Sequence, residues 1–306
     1  MFSTLEGRIL LSKNTDKKKI IYGFLMVFVC VVWGAGNPVT KIGLETIPSF
    51  LMLTMRFGGA FVVFLVIFRS KIFKAFNKSN IWKCCLLSLV TAMTYIASQI
   101  ALYLTSATMA GFLMGLAVIF TPFLNYFIFK IKVNKKFIPI IILVIVGMYF
   151  LCGGGMSFTF GLGEVCALLA SVFYGLWLVL TPRFVHDVGP VALSALQCGV
   201  AAVVCLPFFF IFEYPTQVSS ISTEGWMALI YVTVICTVTV YLIQNQSLKY
   251  LSPVFVSLVL CLEPVFSAFF SFVLLAETLT LIAYLGGVLI IIGLMIASFL
   301  EDEEHL

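Results

Sequence analysis

The chain has 306 residues, of which 62% are hydrophobic and 10% charged, and its mean hydropathy is +1.16. A soluble globular domain is excluded, because so few polar side chains cannot cover a surface that faces water. The net charge of +5 does not point to nucleic acid either, since the basic residues sit in short loops flanking apolar stretches, where they report membrane topology.

A hydrocarbon core about 30 Å thick needs roughly 20 apolar residues per crossing helix. In chain order the sequence offers ten such stretches: 20–39, 48–68, 81–103, 105–128, 137–152, 161–181, 189–212, 224–246, 252–275 and 279–299. Segments such as 138–151 are apolar without alternation, unlike the short alternating strands of a membrane barrel. The predicted fold class is therefore an all-α integral membrane protein with ten transmembrane helices. The first stretch follows Lys17, Lys18 and Lys19 and leads into Gly34, Ala35 and Gly36. It outruns the roughly 7–15 apolar residues of a cleaved signal and is expected to stay as a helix.

On the first stretch Trp33, Asn37 and Lys41 recur every fourth residue and share a face. Asn37-Pro38 is expected to interrupt that helix, because proline lacks an amide donor and restricts the residue before it. The second stretch carries Arg56 at a depth of roughly 12 Å. In the third, Tyr95, Gln99 and Tyr103 form a polar row, with Thr91, Thr94 and Ser98 beside it. Gly111 and Gly115 mark a close helix approach on the fourth, and Pro122, Pro182, Pro207 and Pro264 offer further breaks. The fifth and tenth stretches, around 140–150 and 281–295, are apolar on every face, which makes them scaffold and the candidate contact of a homodimer. In the eighth, Thr237, Tyr241 and Asn245 repeat the polar row, with Thr233 and Gln244 nearby. Such rows serve either as interhelical glue, at about 0.6 kcal/mol per hydrogen bond, or as the wall of a wet cavity.

Glu263 lies roughly 16 Å into the ninth stretch, near the middle of the bilayer. A carboxylate there costs about 2.5–3.5 kcal/mol unless it is protonated, paired or wetted, so it is a functional candidate and the candidate for proton coupling. Its depth nearly matches that of Arg56. The two either pair in an empty cavity or divide the ends of a zwitterionic solute; the competing structural reading is a permanent salt bridge that locks the halves. Burial and a neighbouring guanidinium act on the proton affinity of Glu263 in opposite directions. The nine cysteines, among them Cys30, Cys166, Cys205, Cys236 and Cys261, show no CxxC or Cys/His spacing, so neither a metal, a disulfide framework nor another cofactor is expected.

Basic residues alternate between loops. Arg8, Lys13 and Lys17 to Lys19 precede the first stretch; Arg69, Lys71, Lys74, Lys78 and Lys83 follow the second; Lys130, Lys132, Lys135 and Lys136 follow the fourth. Arg183 and Lys249 follow the sixth and eighth, leaving only Lys41 and Arg56 elsewhere. Both termini are thus expected in the cytoplasm of a multi-pass plasma-membrane protein. The segment 23–40 can be laid on 164–181, which brings Trp33-Gly34 onto Tyr174-Gly175. Tyr103-Leu104-Thr105-Ser106 likewise falls on Tyr250-Leu251-Ser252-Pro253, and Thr121-Pro122 on Glu263-Pro264 with five extra residues in the first copy. Five stretches in each copy make the second enter from the opposite side, an inverted-topology repeat. The predicted organisation is a cytoplasmic segment 1–19, repeats 20–152 and 161–299, and an acidic cytoplasmic tail 300–306. Glu164 and Glu277, near stretch ends, are read as caps or water-facing groups, and His186 as a loop residue.

Two five-helix repeats, Trp33-Gly34 with Lys41, Pro48 followed by Arg56, and the run from Leu262-Glu263-Pro264 to Glu277 together resemble the EamA branch of the drug/metabolite transporter superfamily, over roughly 20–299. The stretch from Thr105-Ser106-Ala107 to Thr121-Pro122 looks like the extended first repeat of one subgroup, and Ala276 departs from the glycine common in the family before the glutamate. The resemblance implies a ten-helix exporter or permease for small metabolites, amino acids or amphipathic drugs. Its central cavity would be formed by the first four helices of each repeat, with helices five and ten outside it. The cavity candidates are Trp33, Asn37, Lys41, Arg56, Tyr95, Gln99, Tyr174, Thr237, Tyr241 and Glu263. With no GxxxxGK[ST] loop, the driving energy is expected from a gradient, through alternating access. A membrane-embedded enzyme would need a nucleophile with its base or a metal cluster, which two histidines supply poorly. A passive channel is the other alternative; broken helices in inverted repeats suit rocking better.

Overall fold

The computed structural model describes residues 2–75, 78–105, 107–132, 134–152, 161–213, 221–275 and 280–303. Ser106, the linker between the repeats, Ala276 and Glu277, and the end of the acidic tail lie outside these residues. Among the described residues the structure is helical, without strands. Helix α1 spans Phe2–Leu44, α2 Ser49–Ala75 and α3 Lys78–Leu104. The fourth span is divided into α4 (Ala107–Gly115) and α5 (Ala117–Phe129), and α6 (Phe137–Leu151) closes the first repeat. In the second, α7 is Leu162–Val188 and α8 Pro190–Phe212. The eighth span is α9 (Thr223–Thr233), a widened π turn over Val234–Thr239, and α10 (Val240–Ser247). The ninth is α11 (Pro253–Leu260) and α12 (Glu263–Leu275), and α13 (Leu281–Glu303) is the tenth. Nine described stretches are long and apolar enough to cross a membrane, and the 15-residue α6 is a shorter apolar helix.

The breaks do not all fall where proline placed them. Pro38 lies inside α1, which continues to Leu44, so the expected interruption at Asn37-Pro38 does not occur. Neighbours hold α1 on both sides of the ring, through its packing on α12 and α9. The fourth span breaks at Leu116, before Pro122, whose ring is absorbed within α5. In the ninth span Pro264 has no N–H to give the Leu260 carbonyl, and Cys261 and Leu262 instead bond back by three residues, to Leu258 and Val259. The chain restarts as α12 at Glu263, whose carboxylate thereby sits on a helix N-terminus.

The packing reproduces the duplication. The first span lies against the eighth as the third lies against the sixth, and α1 touches α12 as α7 touches α5. Spans two and seven pair with each other, as do spans five and ten. Exchanging the two repeats leaves this pattern unchanged, which is the mark of a two-fold relation between them. With five crossings each, the repeats run in opposite senses through the bilayer. The core between them is apolar and close-packed, with Met26, Phe57, Phe64, Leu178, Leu193 and Leu258 fully buried.

Helices α6 and α13 pack on one another at a crossing made of glycines. A Cβ at Gly147 would meet the Gly286 carbonyl at 2.9 Å, and one at Gly293 would meet Val144 Cγ2 at 2.7 Å. Backbones approach so closely because small residues leave no side chain between them. Their outward faces, with Ile138, Ile142, Leu285 and Val288, are exposed. Elsewhere the ends of the bundle are tied by polar contacts. Glu213, just past α8, accepts the Phe50 and Leu51 amides at 2.8 and 2.9 Å, capping the start of α2 from the other repeat. Glu164, read as a cap, accepts the Gly161 amide at 2.8 Å and the Thr105 hydroxyl. His186 is exposed in the last turn of α7.

Candidate functional site

A cavity of about 210 Å³ opens between the repeats. Helix α1 contributes Trp33, Gly36, Asn37 and Thr40, α2 gives Arg56, and α3 gives Thr94, Tyr95 and Ser98. Met114 of α4, Ala170 and Tyr174 of α7, Val232 and Cys236 around the π turn, and Glu263 complete the wall. These positions occupy the half of the bundle nearest the α1–α2 connection, and Asn37 is exposed at the cavity's edge. The cavity therefore faces the end opposite the basic loops.

Each charged group is held by neutral partners from the other repeat. The Nε of Arg56 donates to Thr237 Oγ1 at 2.6 Å, and the Thr237 hydroxyl in turn donates to the Val232 carbonyl five residues back, at 2.8 Å. That five-residue reach belongs to the π turn, which rotates Thr237 toward α2. The guanidinium also lies 5.7 and 5.8 Å from the ring centres of Phe57 and Tyr95, a cation–π setting on an aromatic floor. Its Nη groups have no hydrogen bond among the described residues. On the opposite wall Asn37 Nδ2 donates to Glu263 Oε1 at 3.3 Å and to Ser267 Oγ at 3.2 Å, leaving Glu263 Oε2 without a partner among the described residues. Arg56 and Glu263 share the cavity and form no ion pair with each other. Trp33 Nε1 donates to the Cys236 carbonyl at 2.8 Å, fixing the indole against the π turn.

Replacing Thr237 by valine keeps the shape and removes the acceptor that orients Arg56. That bond lies within the protein, where a hydrogen bond to a charged group contributes about 1.5–3 kcal/mol, so the melting transition is expected to fall, and solute affinity to fall by about tenfold as the guanidinium loses its orientation. Isothermal titration of the purified variant, at a temperature where melting shows it folded, checks this; a lower melting transition with affinity unchanged would place Thr237 in folding alone.

Of the ten sequence candidates, Trp33, Asn37, Arg56, Tyr95, Tyr174 and Glu263 line the cavity. Four do not. Lys41 is exposed beyond Thr40, toward the end of α1. Gln99 is half-buried one position round from Ser98, so the cavity face of α3 runs through Thr94, Tyr95 and Ser98 rather than along the 95–99–103 row. Thr237 stands behind Arg56, fully buried, and Tyr241 lies below the floor, where its hydroxyl donates to that of Tyr95 at 3.2 Å. Gly36, Ala170 and Cys236 were not foreseen. They supply space instead of chemistry, and a Cβ on Gly36 would already lie 2.7 Å from Cys236 Sγ.

Between this floor and the basic loops, contacts among the described residues close the bundle. Gln244 Nε2 donates to the Tyr174 hydroxyl at 2.9 Å, and Tyr174 stacks on Trp177 with centroids 5.8 Å apart. Nearer the loops Tyr22 stacks on Tyr250 at 4.7 Å, Gln246 donates to the Tyr22 hydroxyl at 3.2 Å, and Lys83 pairs with Asp187.

Comparison with known proteins agrees with this architecture. Residues 20–153 and 161–299 each match the EamA-like transporter family. An uncharacterized transporter of Archaeoglobus fulgidus is 27% identical over 281 residues, covering 92% of this chain and 87% of that protein. A probable amino-acid metabolite efflux pump of Salmonella typhimurium is 27% identical over 293 residues, covering 90% and 94%. A solved crystal structure superposes with a TM-score of 0.79 at 16% identity, covering 92% of this chain and 98% of that one, and so shares the fold. Two matched repeats spanning almost the whole bundle around one interrepeat cavity identify a membrane transporter, and the chain belongs to the EamA-like transporter family.

Proposed function

We propose that this transporter exchanges a small zwitterionic solute of amino-acid size by alternating access, working as an exporter or permease in the plasma membrane with both termini cytoplasmic. One observation carries the reading: Arg56 and Glu263, one from each repeat, line the same cavity unpaired. Two unpaired opposite charges at mid-membrane are costly unless water or a ligand completes them, and a zwitterion completes both at once. The Nη fork of Arg56 suits a carboxylate bidentately, while the unpartnered Glu263 oxygen suits an ammonium. Trp33, Tyr95 and Tyr174 offer apolar faces to the rest of the solute. A volume of about 210 Å³ supports a small solute rather than a large amphipathic drug. The relative from Salmonella typhimurium, named as a probable amino-acid metabolite efflux pump, points the same way.

Purified protein in proteoliposomes tests it. Leucine and phenylalanine are expected to exchange with saturation, whereas the corresponding methyl esters and des-amino acids are not. Equal exchange of all three classes would remove the two-charge site from the reading. Repeating the assay with and without a pH gradient decides whether Glu263 also couples a proton. For a homodimer, the exposed faces of α6 and α13 are the candidate contact, and light scattering of the purified protein tests it.

A further inference from the structure

We infer that Thr91, Ser194, Gln197 and Asn245, buried beneath the cavity floor, form a second and uncharged station for the solute on the side of the basic loops. This rests on the transporter reading above and adds to it a site that the cavity does not contain.

The first argument is symmetry. The alignment that lays Trp33 on Tyr174 also lays Arg56 on Gln197, and the one that lays Tyr103 on Tyr250 lays Ser98 on Asn245. The contacts follow the alignment. Arg56 Nε donates to a threonine hydroxyl of the eighth span, Thr237, and Gln197 Nε2 donates to a threonine hydroxyl of the third, Thr91, at 3.3 Å. Arg56 and Ser98 line an open cavity, while their repeat-mates lie in the sealed half of the bundle. When the repeats exchange conformations, the sealed set takes the place of the open one.

The second argument is unmet hydrogen bonding. Ser194, Gln197 and Asn245 are 0% exposed and Thr91 3%. Asn245 Nδ2 donates to Ser194 Oγ at 2.7 Å and to Gln197 Oε1 at 3.0 Å, yet among the described residues Asn245 Oδ1 has no partner, and neither do Ser247 Oγ, two residues on, and Trp177 Nε1 of α7. Interhelical glue would satisfy its own acceptors, because an unpaired buried polar atom costs about 1–3 kcal/mol. A set that is completed only when wetted or occupied accounts for the open valences.

The chemistry sets this station apart. Where the cavity offers a guanidinium, its mate offers an amide, and no charged side chain belongs to the cluster. Amides and hydroxyls hold a carboxylate or an ammonium more loosely than opposite charges do. A solute is thus gripped at one station and released from the other as the two halves of the bundle alternate.

Two experiments on the full chain decide it. In the first, Ser194→Cys and Asn245→Cys are treated with a small charged methanethiosulfonate reagent from either face of oriented vesicles. Peptide mass spectrometry reads the labelled position, with the nine native cysteines as references. Labelling of these positions from the basic-loop face only is expected. No labelling from either face, with Cys236 reacting from the cavity side, overturns the proposal and leaves a permanent seal. In the second, the double variant Gln197→Met, Asn245→Leu keeps the volume and removes both partners of the buried amide pair together. Its thermal transition is expected to stay equal or rise, with leucine binding at the cavity unchanged within about twofold and leucine exchange reduced by about tenfold or more. Exchange per folded molecule equal to that of the unmodified chain overturns the proposal. If the unmodified chain exchanges no solute of the panel, it is the zwitterion reading that fails, and the labelling arm still decides whether this half opens.

Discussion

Arg56→Ala is expected to abolish zwitterion exchange and to leave the protein folded. Its guanidinium makes one strong hydrogen bond, to Thr237, and rests on two aromatic rings, so alanine leaves the Thr237 hydroxyl still donating to the Val232 carbonyl and strands no buried donor. The solute, in contrast, loses both bonds of a bidentate pair. At about 1.5–3 kcal/mol for each charge-assisted bond, the loss in kcat/KM is expected at about a hundredfold or more. Glu263→Gln probes the other end: its side-chain oxygen can still accept from Asn37, so the α1–α12 contact survives while the negative charge goes. The two variants differ in what they stop distinguishing. Arg56→Ala is expected to lose the preference for an amino acid over its methyl ester, and Glu263→Gln the preference over the des-amino acid. The doubly reversed Arg56→Glu, Glu263→Arg chain separates this from a structural lock. The cavity reading expects it to fold without exchange for leucine, whereas full rescue of both properties would mean that the charges serve only each other. Competition assays with the three ligand classes, next to melting curves, read all of these outcomes.

The sequence made the crossings, the duplication and the two intramembrane charges legible, because each is set by the bilayer rather than by tertiary contacts. Ten apolar stretches and an alternation of lysines depend on membrane thickness and loop charge alone. Glu263 and Arg56 stood out because such residues are costly wherever they point. What stayed hidden depends on which neighbour lies opposite. Asn37-Pro38 carries a strong break signal, yet α1 runs through it, held by its packing on α12 and α9. Leu116 carries no such signal and yet ends α4. The π turn at Val234–Thr239 contains no glycine or proline, and it alone brings Thr237 to Arg56. Gln197 and Ser194 were overlooked as isolated polar residues in an apolar stretch. The repeat alignment lays Gln197 on Arg56, but only the fold shows that it shares Asn245 with Ser194. Likewise Gln99 and Lys41 fit a periodic row, but the cavity face of α3 is one residue off that row and the cavity ends at Thr40. A row spaced by four residues fixes which side chains share a face, not which face meets the void.

Gly286→Ala is expected to be among the most damaging single-methyl additions to the bundle, and its neighbour Gly287→Ala to be nearly silent. A Cβ on Gly286 would lie 2.2 Å from Leu151 N, 2.4 Å from the Gly147 carbonyl oxygen and 2.8 Å from Leu151 Cα, all backbone atoms with no rotamer to escape into. Helices α6 and α13 must therefore move apart at their crossing. In lipid that separation is not offset by any gain from burying apolar surface, since the tails are as apolar as the helices; association rests on the packing that the methyl destroys. A cost of about 2–4 kcal/mol is expected, seen as a markedly lower melting transition in detergent and a lower yield from membranes. At Gly287 the nearest atom to a new Cβ is Val265 Cγ1 at 3.6 Å, an ordinary contact, so the transition should barely shift. Since α6 and α13 contribute nothing to the cavity wall, exchange per folded molecule should survive Gly286→Ala. The opposite pattern, an unchanged melting transition with exchange lost, would mean that the pair slides during each cycle and that its close crossing is a moving part rather than a buttress.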